Sequence, residues 1–142
     1  MVDPAAGAHK SPEYLWLVWS TNTLQAMLLH YFYGERLVDE GDASAAAQVK
    51  SHAEASVGGM LVQLDAQLAS HGQAWLLGAD FSAVDPFVLM LCRWTRGFAR
   101  PARSLPHLGP DLQRVLARPA VLRTFATERL PPPLVQSETR PL

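Results

Sequence analysis

Residues 75–87 read Trp75-Leu76-Leu77-Gly78-Ala79-Asp80-Phe81-Ser82-Ala83-Val84-Asp85-Pro86-Phe87, and this stretch decides the fold. Ser82 stands three residues before Asp85. We expect the Ser82 hydroxyl to accept the backbone N–H of Asp85, while the Asp85 carboxylate accepts the backbone N–H of Ser82. Such a reciprocal pair is a capping box that starts a helix, and the carboxylate also complements the positive end of the helix dipole. Phe81 should pack near Phe87 or the ring of Pro86 and so set the angle at which the chain enters the helix. Phe81, Ser82 and Asp85 are therefore predicted to be structural residues.

Helical signals also precede this stretch. Ser11-Pro12-Glu13 is a helix start, and the helix is predicted to run to about Leu37. Gly41-Asp42 breaks the pattern, and a second helix follows at about residues 43–70, long enough to form an antiparallel pair with the first. Its apolar positions recur at helical spacing: Ala53, Val57, Leu61, Leu64 and Leu68. Gly58 and Gly59 in its middle each cost about 1 kcal/mol relative to alanine. We therefore expect another helix to approach closely there, either from the same chain or from the second subunit of a dimer.

Three further helices are predicted after the cap. The first buries a face and ends at Gly97 or Pro101; this face comprises Val84, Phe87, Val88, Leu91, Cys92 and Thr95. Pro110 opens a short helix, and Pro119 opens another that carries Leu122, Phe125 and Ala126 inward. No strand alternation, internal repeat or βαβ unit is present. The prediction is an all-α bundle of about five helices with two long antiparallel helices first, spanning residues 11–130 between a linker at 1–10 and a Pro-rich tail at 131–142.

Composition narrows the class of protein. A chain of 142 residues with 49% apolar and 18% charged residues fits one globular domain. A formal net charge of −1 gives no electrostatic reason to bind nucleic acid or an anionic membrane. The single cysteine, Cys92, excludes an internal disulfide and suits a reducing compartment. With no signal peptide and no apolar run long enough to span a bilayer, the sequence favours a cytoplasmic protein.

Few residues suggest chemistry. The five histidines (His9, His30, His52, His71 and His107) show no metal-ligand spacing, so no metal site is expected. Cys92 lies among apolar residues, which favours a buried structural thiol over a nucleophile. Four arginines (Arg93, Arg96, Arg100 and Arg103) recur at spacings of three and four; a solvated stripe is favoured over an anion site. No catalytic residue can be assigned.

The first helix has two apolar sides. One side contains Tyr14, Leu17, Leu24, Leu28 and Phe32. The other contains Trp16, Trp19, Ser20, Thr23, Met27 and His30. The second side combines aromatic, sulfur and hydroxyl groups, as a surface facing a ligand or a second domain does. A central bundle helix that is buried on both sides explains the same pattern, and this structural interpretation is favoured.

Two segments resemble a known family. The pattern Leu76-Leu77-Gly78, a short gap, Phe81-Ser82, two residues and Asp85 resembles the C-terminal helical domain of glutathione transferases. The run from Pro106 to Val121 resembles the closing helices of the same family. The resemblance covers roughly residues 12–130 and implies the fold of that helical domain.

The resemblance also implies a function. In this family a thioredoxin-like N-terminal domain binds glutathione and stabilises its thiolate; this chain has no such domain, and residues 1–10 look like the linker between the two domains. The helical domain forms the wall of the pocket for a small hydrophobic electrophile, which places Trp16, Trp19, Thr23 and Met27 in the substrate-binding wall. Many relatives carry Ala-Glu-Gly-Ser-Leu where this sequence has Ser20 to Leu24, so Thr21 and Asn22 become weak glutathione contacts without the acidic group.

On this interpretation the chain belongs to a dimeric detoxification enzyme, with glutathione as co-substrate and no other cofactor, and it is not active alone. The alternative is a non-catalytic helical module that binds proteins or apolar ligands.

Overall fold

The computed structural model describes residues 12–130. The predicted linker and the predicted Pro-rich tail lie outside the described residues. Six α-helices follow one another within the described range: α1 (Pro12–Trp19), α2 (Ala26–Phe32), α3 (Ala43–His71), α4 (Val84–Trp94), α5 (Leu108–Leu116) and α6 (Pro119–Thr127). Residues 12–130 contain no β-strand, and a β-bridge joins Trp75 to Gly78. The all-α prediction is confirmed.

The first helix is continuous but not uniform. A π-helical segment, Ser20–Gln25, joins α1 to α2, and the residues at its two ends keep right-handed helical dihedral angles. The helix ends at Phe32 rather than at the predicted Leu37, and a single 3₁₀ turn, Gly34–Leu37, follows. The physical reason lies at Gly34, because an added Cβ there would sit 3.2 Å from a methyl carbon of Val49. Glycine at this position lets the chain approach α3 closely without crowding Val49.

Helix α3 forms as the sequence predicts. The Asp42 carboxylate caps its start by accepting the backbone N–H of Ala45 at 2.9 Å. The helix ends at Gly72, whose φ of 62° is left-handed and therefore favours glycine. The five predicted core positions, Ala53, Val57, Leu61, Leu64 and Leu68, are all buried.

The antiparallel pairing of α2 with α3 is visible in the contacts between them. Gly34, beyond the end of α2, lies against Val49 near the start of α3. The Lys50 ammonium lies 4.8 Å from the centre of the Tyr31 ring. Met27, earlier in α2, shares a groove with Ala53, later in α3. The two helices therefore run in opposite directions.

The two glycines in α3 do not have the predicted intrachain partner. A Cβ added to Gly58 or Gly59 would meet no heavy atom within 4 Å among the described residues. The prediction that another helix of this chain approaches these glycines closely is therefore wrong for residues 12–130. Close approach across a dimer stays a prediction.

Helix α4 lies in the core: Val84, Val88, Leu91 and Cys92 are buried, and the helix contacts α1, the π-helical segment and α5. The predicted arginine stripe is not wholly solvated. Arg93 is only 8% exposed, and burial followed by the charge of Arg96 lowers its pKa. Arg96 and Arg103 donate to the backbone carbonyls of Arg93 and Arg96, each at 3.1 Å. These side chains therefore brace the turn after α4.

Helix α6 presents a different face from the predicted one. Val121 and Phe125 pack against the core, whereas Leu122 is 46% exposed and Ala126 is exposed. Val121 and Phe125 are four residues apart, so they share the helix face that packs against the core. The prediction that Leu122 and Ala126 point inward was wrong, and the prediction for Phe125 was right.

Candidate functional site

Trp16 and Trp19 form an open aromatic depression on the first helix. Their rings meet edge to face, with centroids 5.2 Å apart and an angle of 72° between their planes. Together with Leu15 they line a hollow of about 230 Å³. Leu15 is 53% exposed, and the exposed side chains of Tyr14 and Val18 lie on the same short helix. Trp16 and Trp19 are themselves half-buried and pack against the core, so the depression lies at the edge of the core.

The residues with a predicted weak glutathione contact lie in the π-helical segment. Thr21 and Asn22 are exposed, and Thr23 is half-buried. The Thr21 hydroxyl donates to the backbone carbonyl of Leu17 at 2.9 Å, so it is engaged within its own helix. Ser20 is fully buried, and its hydroxyl has no hydrogen-bond partner among residues 12–130. π-helical turns of this kind are frequent at functional sites, and this one separates the two halves of the predicted site.

Met27 does not join the two tryptophans in one pocket. It lies eight residues beyond Trp19, about 12 Å along a helix axis. It lines a second groove, between α2 and α3, of about 440 Å³. The sequence-predicted substrate wall is therefore divided between two hollows, with Thr23 on the segment that connects them.

The predicted cap of α4 is present with one change. The Asp85 carboxylate accepts the backbone N–H of Ser82 at 2.8 Å, as predicted. The Ser82 hydroxyl accepts the N–H of Val84 at 3.3 Å, not the N–H of Asp85, which instead bonds to the Ser82 carbonyl. The hydroxyl therefore serves the first helical residue, because the helix begins at Val84.

Asp85 has a second role that the sequence did not reveal. Its other carboxylate oxygen accepts the buried backbone N–H of Leu76 at 3.0 Å, and Asp85 is only 2% exposed. The Leu76 carbonyl in turn accepts from the Gln67 amide at 3.2 Å, with the His71 ring at 3.1 Å. One carboxylate thus fixes the loop before α4 as well as the helix start.

The packing of Phe81 also differs from expectation. Its ring meets the Trp75 ring edge to face at 5.0 Å. The Arg118 guanidinium lies 3.8 Å from the centre of the Phe81 ring and 5.3 Å from that of Trp75. Phe81 therefore ties the loop before α4 to the junction between α5 and α6.

Carboxylates on α1 and α3 connect separate parts of the chain, which local sequence patterns did not reveal. The Glu13 carboxylate in α1 accepts the N–H of Ala83 at 3.2 Å. The Asp65 carboxylate in α3 accepts the N–H of Leu108 at 2.7 Å, and so caps α5 from another helix. Burial alone would raise the pKa of Asp65, but the hydrogen bonds from Leu108 and His107 hold it below its usual value. No local spacing links these partners, so only the fold brings them together.

Asp111, whose ion-pair partner lies on its own helix, was also missed, and its pKa is strongly raised. It is 3% exposed and pairs with the Arg114 guanidinium at 3.3 Å. Burial, and then the negative charge of Asp85, raises the pKa of Asp111 to about 6. The signal in the sequence was its position next to Leu112 and one turn before Val115, which puts a carboxylate on the buried face of α5.

Cys92 has the environment of a structural thiol. It is buried, and burial followed by the negative charge of Asp111 raises the pKa of its thiol. A thiol nucleophile needs a lowered pKa and access to solvent. The interpretation of Cys92 as structural is therefore supported by its surroundings.

Comparison with known proteins does not name a family for this chain. No protein-family model, curated protein or solved structure matches it. No group of three or more His, Cys, Asp or Glu side chains within residues 12–130 could hold a metal ion. In the same range of residues, every helix is too short or too polar to cross a membrane.

Proposed function

We propose that this chain is the helical half of a glutathione transferase that acts in the cytoplasm. In this proposal Trp16 and Trp19 form part of the pocket wall that holds a small hydrophobic electrophile. Thr23 and Met27 extend that wall along the helix. Glutathione would be bound by a thioredoxin-like domain that pairs with this one. The fold proposed for residues 12–130 is the C-terminal helical domain of that family.

The open tryptophan depression is the observation that carries this proposal. Pockets for small ligands usually enclose about 300–1,000 Å³, and the hollow lined by Leu15, Trp16 and Trp19 encloses about 230 Å³. It is also open rather than closed, because Leu15 is mostly exposed. A half-formed apolar pocket of this kind is what one domain contributes when a second domain supplies the opposite wall.

The proposal also predicts what the chain does not do alone. Cys92 is buried with a raised pKa, and no other described residue can be assigned to thiolate activation. We therefore expect no conjugation of glutathione to an aryl halide by the purified chain. Measurable conjugation by the purified chain would contradict the proposal that a separate domain activates the glutathione thiol.

Tryptophan fluorescence tests where an apolar ligand binds. A dinitrobenzene, which resembles an aryl halide but does not react, should quench the fluorescence of the chain saturably. The variant with Trp16→Phe and Trp19→Phe should lose the saturable component. Trp75→Phe is the matched control, because Trp75 packs against Phe81 and does not line the depression, so its replacement should leave the saturable component in place. Saturable quenching that survives in the double variant would show that the ligand binds elsewhere.

The dimer is part of the same proposal. Gly58 and Gly59 line a shallow hollow of about 150 Å³ with Arg100 and Leu105, and nothing in the described chain fills the space beside them. If a second copy approaches there, replacing both glycines by alanine should weaken self-association in sedimentation equilibrium. A tighter or unchanged assembly would reject this interface.

A second candidate function rests on the exposed apolar side chains of the first helix. Leu15, Val18 and Leu29 are exposed on α1 and α2, and such a surface also suits a protein partner. If this alternative takes its protein-binding form, the chain binds no small apolar ligand at the tryptophans. The fluorescence titration therefore separates the two functions.

A further inference from the structure

The groove between α2 and α3 combines several side chains, of which the proposed function uses only Met27. It is lined by Met27, His30, Gln48, Val49, His52 and Ala53. Met27 and His30 belong to α2, and His52 belongs to the antiparallel α3. Two imidazoles and one thioether thus border a single hollow of about 440 Å³.

The spacing on α2 favours joint action of two of these groups. Met27 and His30 are three residues apart, which places their Cβ atoms about 5–6 Å from each other on one helix face. His30 and His52 are exposed, so their rings can turn over the groove, and Met27 is half-buried beside the core. The three side chains therefore border the same groove from two helices.

The lining residues also decide which ion the groove suits. None of the six carries a carboxylate, so hard cations such as Ca²⁺ and Mg²⁺, which require oxygen ligands, are disfavoured. Zn²⁺ is normally held by imidazole, thiolate or carboxylate ligands, of which the groove offers only the two imidazoles. A thioether is a soft ligand that selects Cu(I), and imidazole also suits copper.

We propose that this groove binds Cu(I), through the imidazoles of His30 and His52 and the sulfur of Met27. Ag(I), which has the same charge and softness, would occupy the same site. The ion binds and leaves without a change of oxidation state, so the site needs no electron donor or acceptor. This site does not depend on the glutathione transferase proposal, because its ligand is different and the imidazoles of His30 and His52 are not part of the proposed substrate wall.

The test is a titration of the full chain with Ag(I) by calorimetry, together with anaerobic competition for Cu(I) against a chromogenic chelator. His30→Ala and His52→Ala should each weaken both ions. Loss of a partner that merely orients a ligand already costs about 10- to 100-fold in metal affinity, so loss of a ligand should cost at least about tenfold. Matched controls are His107→Ala and Met90→Leu, which replace exposed residues outside the groove and should leave the affinity unchanged.

Met27→Leu gives the sharper readout because it keeps the size and apolar character of the side chain. It should weaken Cu(I) and Ag(I) while leaving the weaker binding of Zn²⁺ to the two imidazoles unchanged. Far-UV circular dichroism of each variant checks that the helices are intact. The proposal fails if the double variant His30→Ala, His52→Ala binds Ag(I) as tightly as the unmodified chain. It also fails if His107→Ala costs as much affinity as His30→Ala.

Discussion

Replacing Asp85 by alanine tests how the loop before α4 is held. The change removes both acceptors of a carboxylate that is only 2% exposed. It leaves the N–H of Leu76 and the N–H of Ser82 without the partners they have at 3.0 and 2.8 Å. The loop and the helix start then lose their common anchor.

The magnitude follows from the two bonds. A hydrogen bond to a charged group contributes about 1.5–3 kcal/mol, and an orphaned buried donor costs about 1–3 kcal/mol. The Leu76 N–H is buried and bears the full cost, whereas water can reach Ser82, which is only partly buried. Loss of the negative charge of Asp85 also eases the burial of Asp111, which offsets part of the loss. We expect a net destabilisation of about 2–4 kcal/mol, more than the roughly 1 kcal/mol of an ordinary cap.

Chemical denaturation followed by far-UV circular dichroism measures this difference. The denaturant midpoint of Asp85→Ala should fall with an unchanged slope, whereas the control Asp80→Ala, at an exposed position in the same loop, should shift stability by no more than about 0.5 kcal/mol. Asp85→Asn keeps one acceptor oxygen and should recover only part of the loss. Equal midpoints for Asp85→Ala and Asp80→Ala would refute the reasoning.

Three more predictions concern stability and reactivity. The pKa of Asp111 is raised from its ordinary value of 3.8 to about 6, so the native state holds this proton more tightly than the unfolded chain does. The free energy of unfolding should therefore fall as pH rises between those two values, and Asp111→Asn should flatten that part of the plot of urea midpoint against pH; an unaltered slope would contradict the assignment. Gly109→Ala should destabilise the chain because the added Cβ would meet the backbone carbonyl of Arg103. Gly58→Ala has open space around it, so it should raise the stability of the monomer by about 0.5–1 kcal/mol in the same urea titration. Similar shifts for the two glycines would be evidence against the contacts described. Cys92 should react with an aromatic disulfide reagent only after unfolding, and rapid labelling of the native chain would show that it is accessible.

Local patterns predicted the parts of the fold that depend on neighbours in sequence. The buried face of α3 follows from spacing along one helix, and its end follows from Gly72. The bond from Ser82 to Asp85 spans three residues and was likewise predictable. In each case the residues concerned belong to one helix or to one turn, so their spacing in the sequence sets their relative positions.

The errors came from contacts between distant segments. The first helix ends at Phe32 because Gly34 meets Val49, which is fifteen positions away in the sequence. The cap that Asp65 places on α5 joins residues 42 and 43 positions apart, and no spacing rule reveals it. Burial of Arg93 also depends on how α4 packs in the bundle.

The candidate site was predicted only in part for a related reason. Trp16 and Trp19 meet because they are three residues apart on one helix. Met27 was grouped with them by assuming an unbroken α-helix. The π-helical segment 20–25 has more residues per turn, so it changes the direction in which α2 faces relative to α1. Distance along the helix then separates Met27 from the tryptophans.

We propose that the tryptophan depression is an apolar half-pocket and that glutathione recognition belongs to another domain. Calorimetric titration of the chain with glutathione and with its S-methyl, S-butyl and S-hexyl derivatives tests this most directly. Each fully buried methylene contributes about 0.8 kcal/mol, or about fourfold in Kd. We expect no heat of binding with glutathione. The affinity for the S-alkyl derivatives should rise by up to about fourfold for each added methylene. This rise should be absent in the variant with Trp16→Ala and Trp19→Ala. Binding of glutathione as tight as that of the hexyl derivative, or no binding of any derivative, would contradict this proposal.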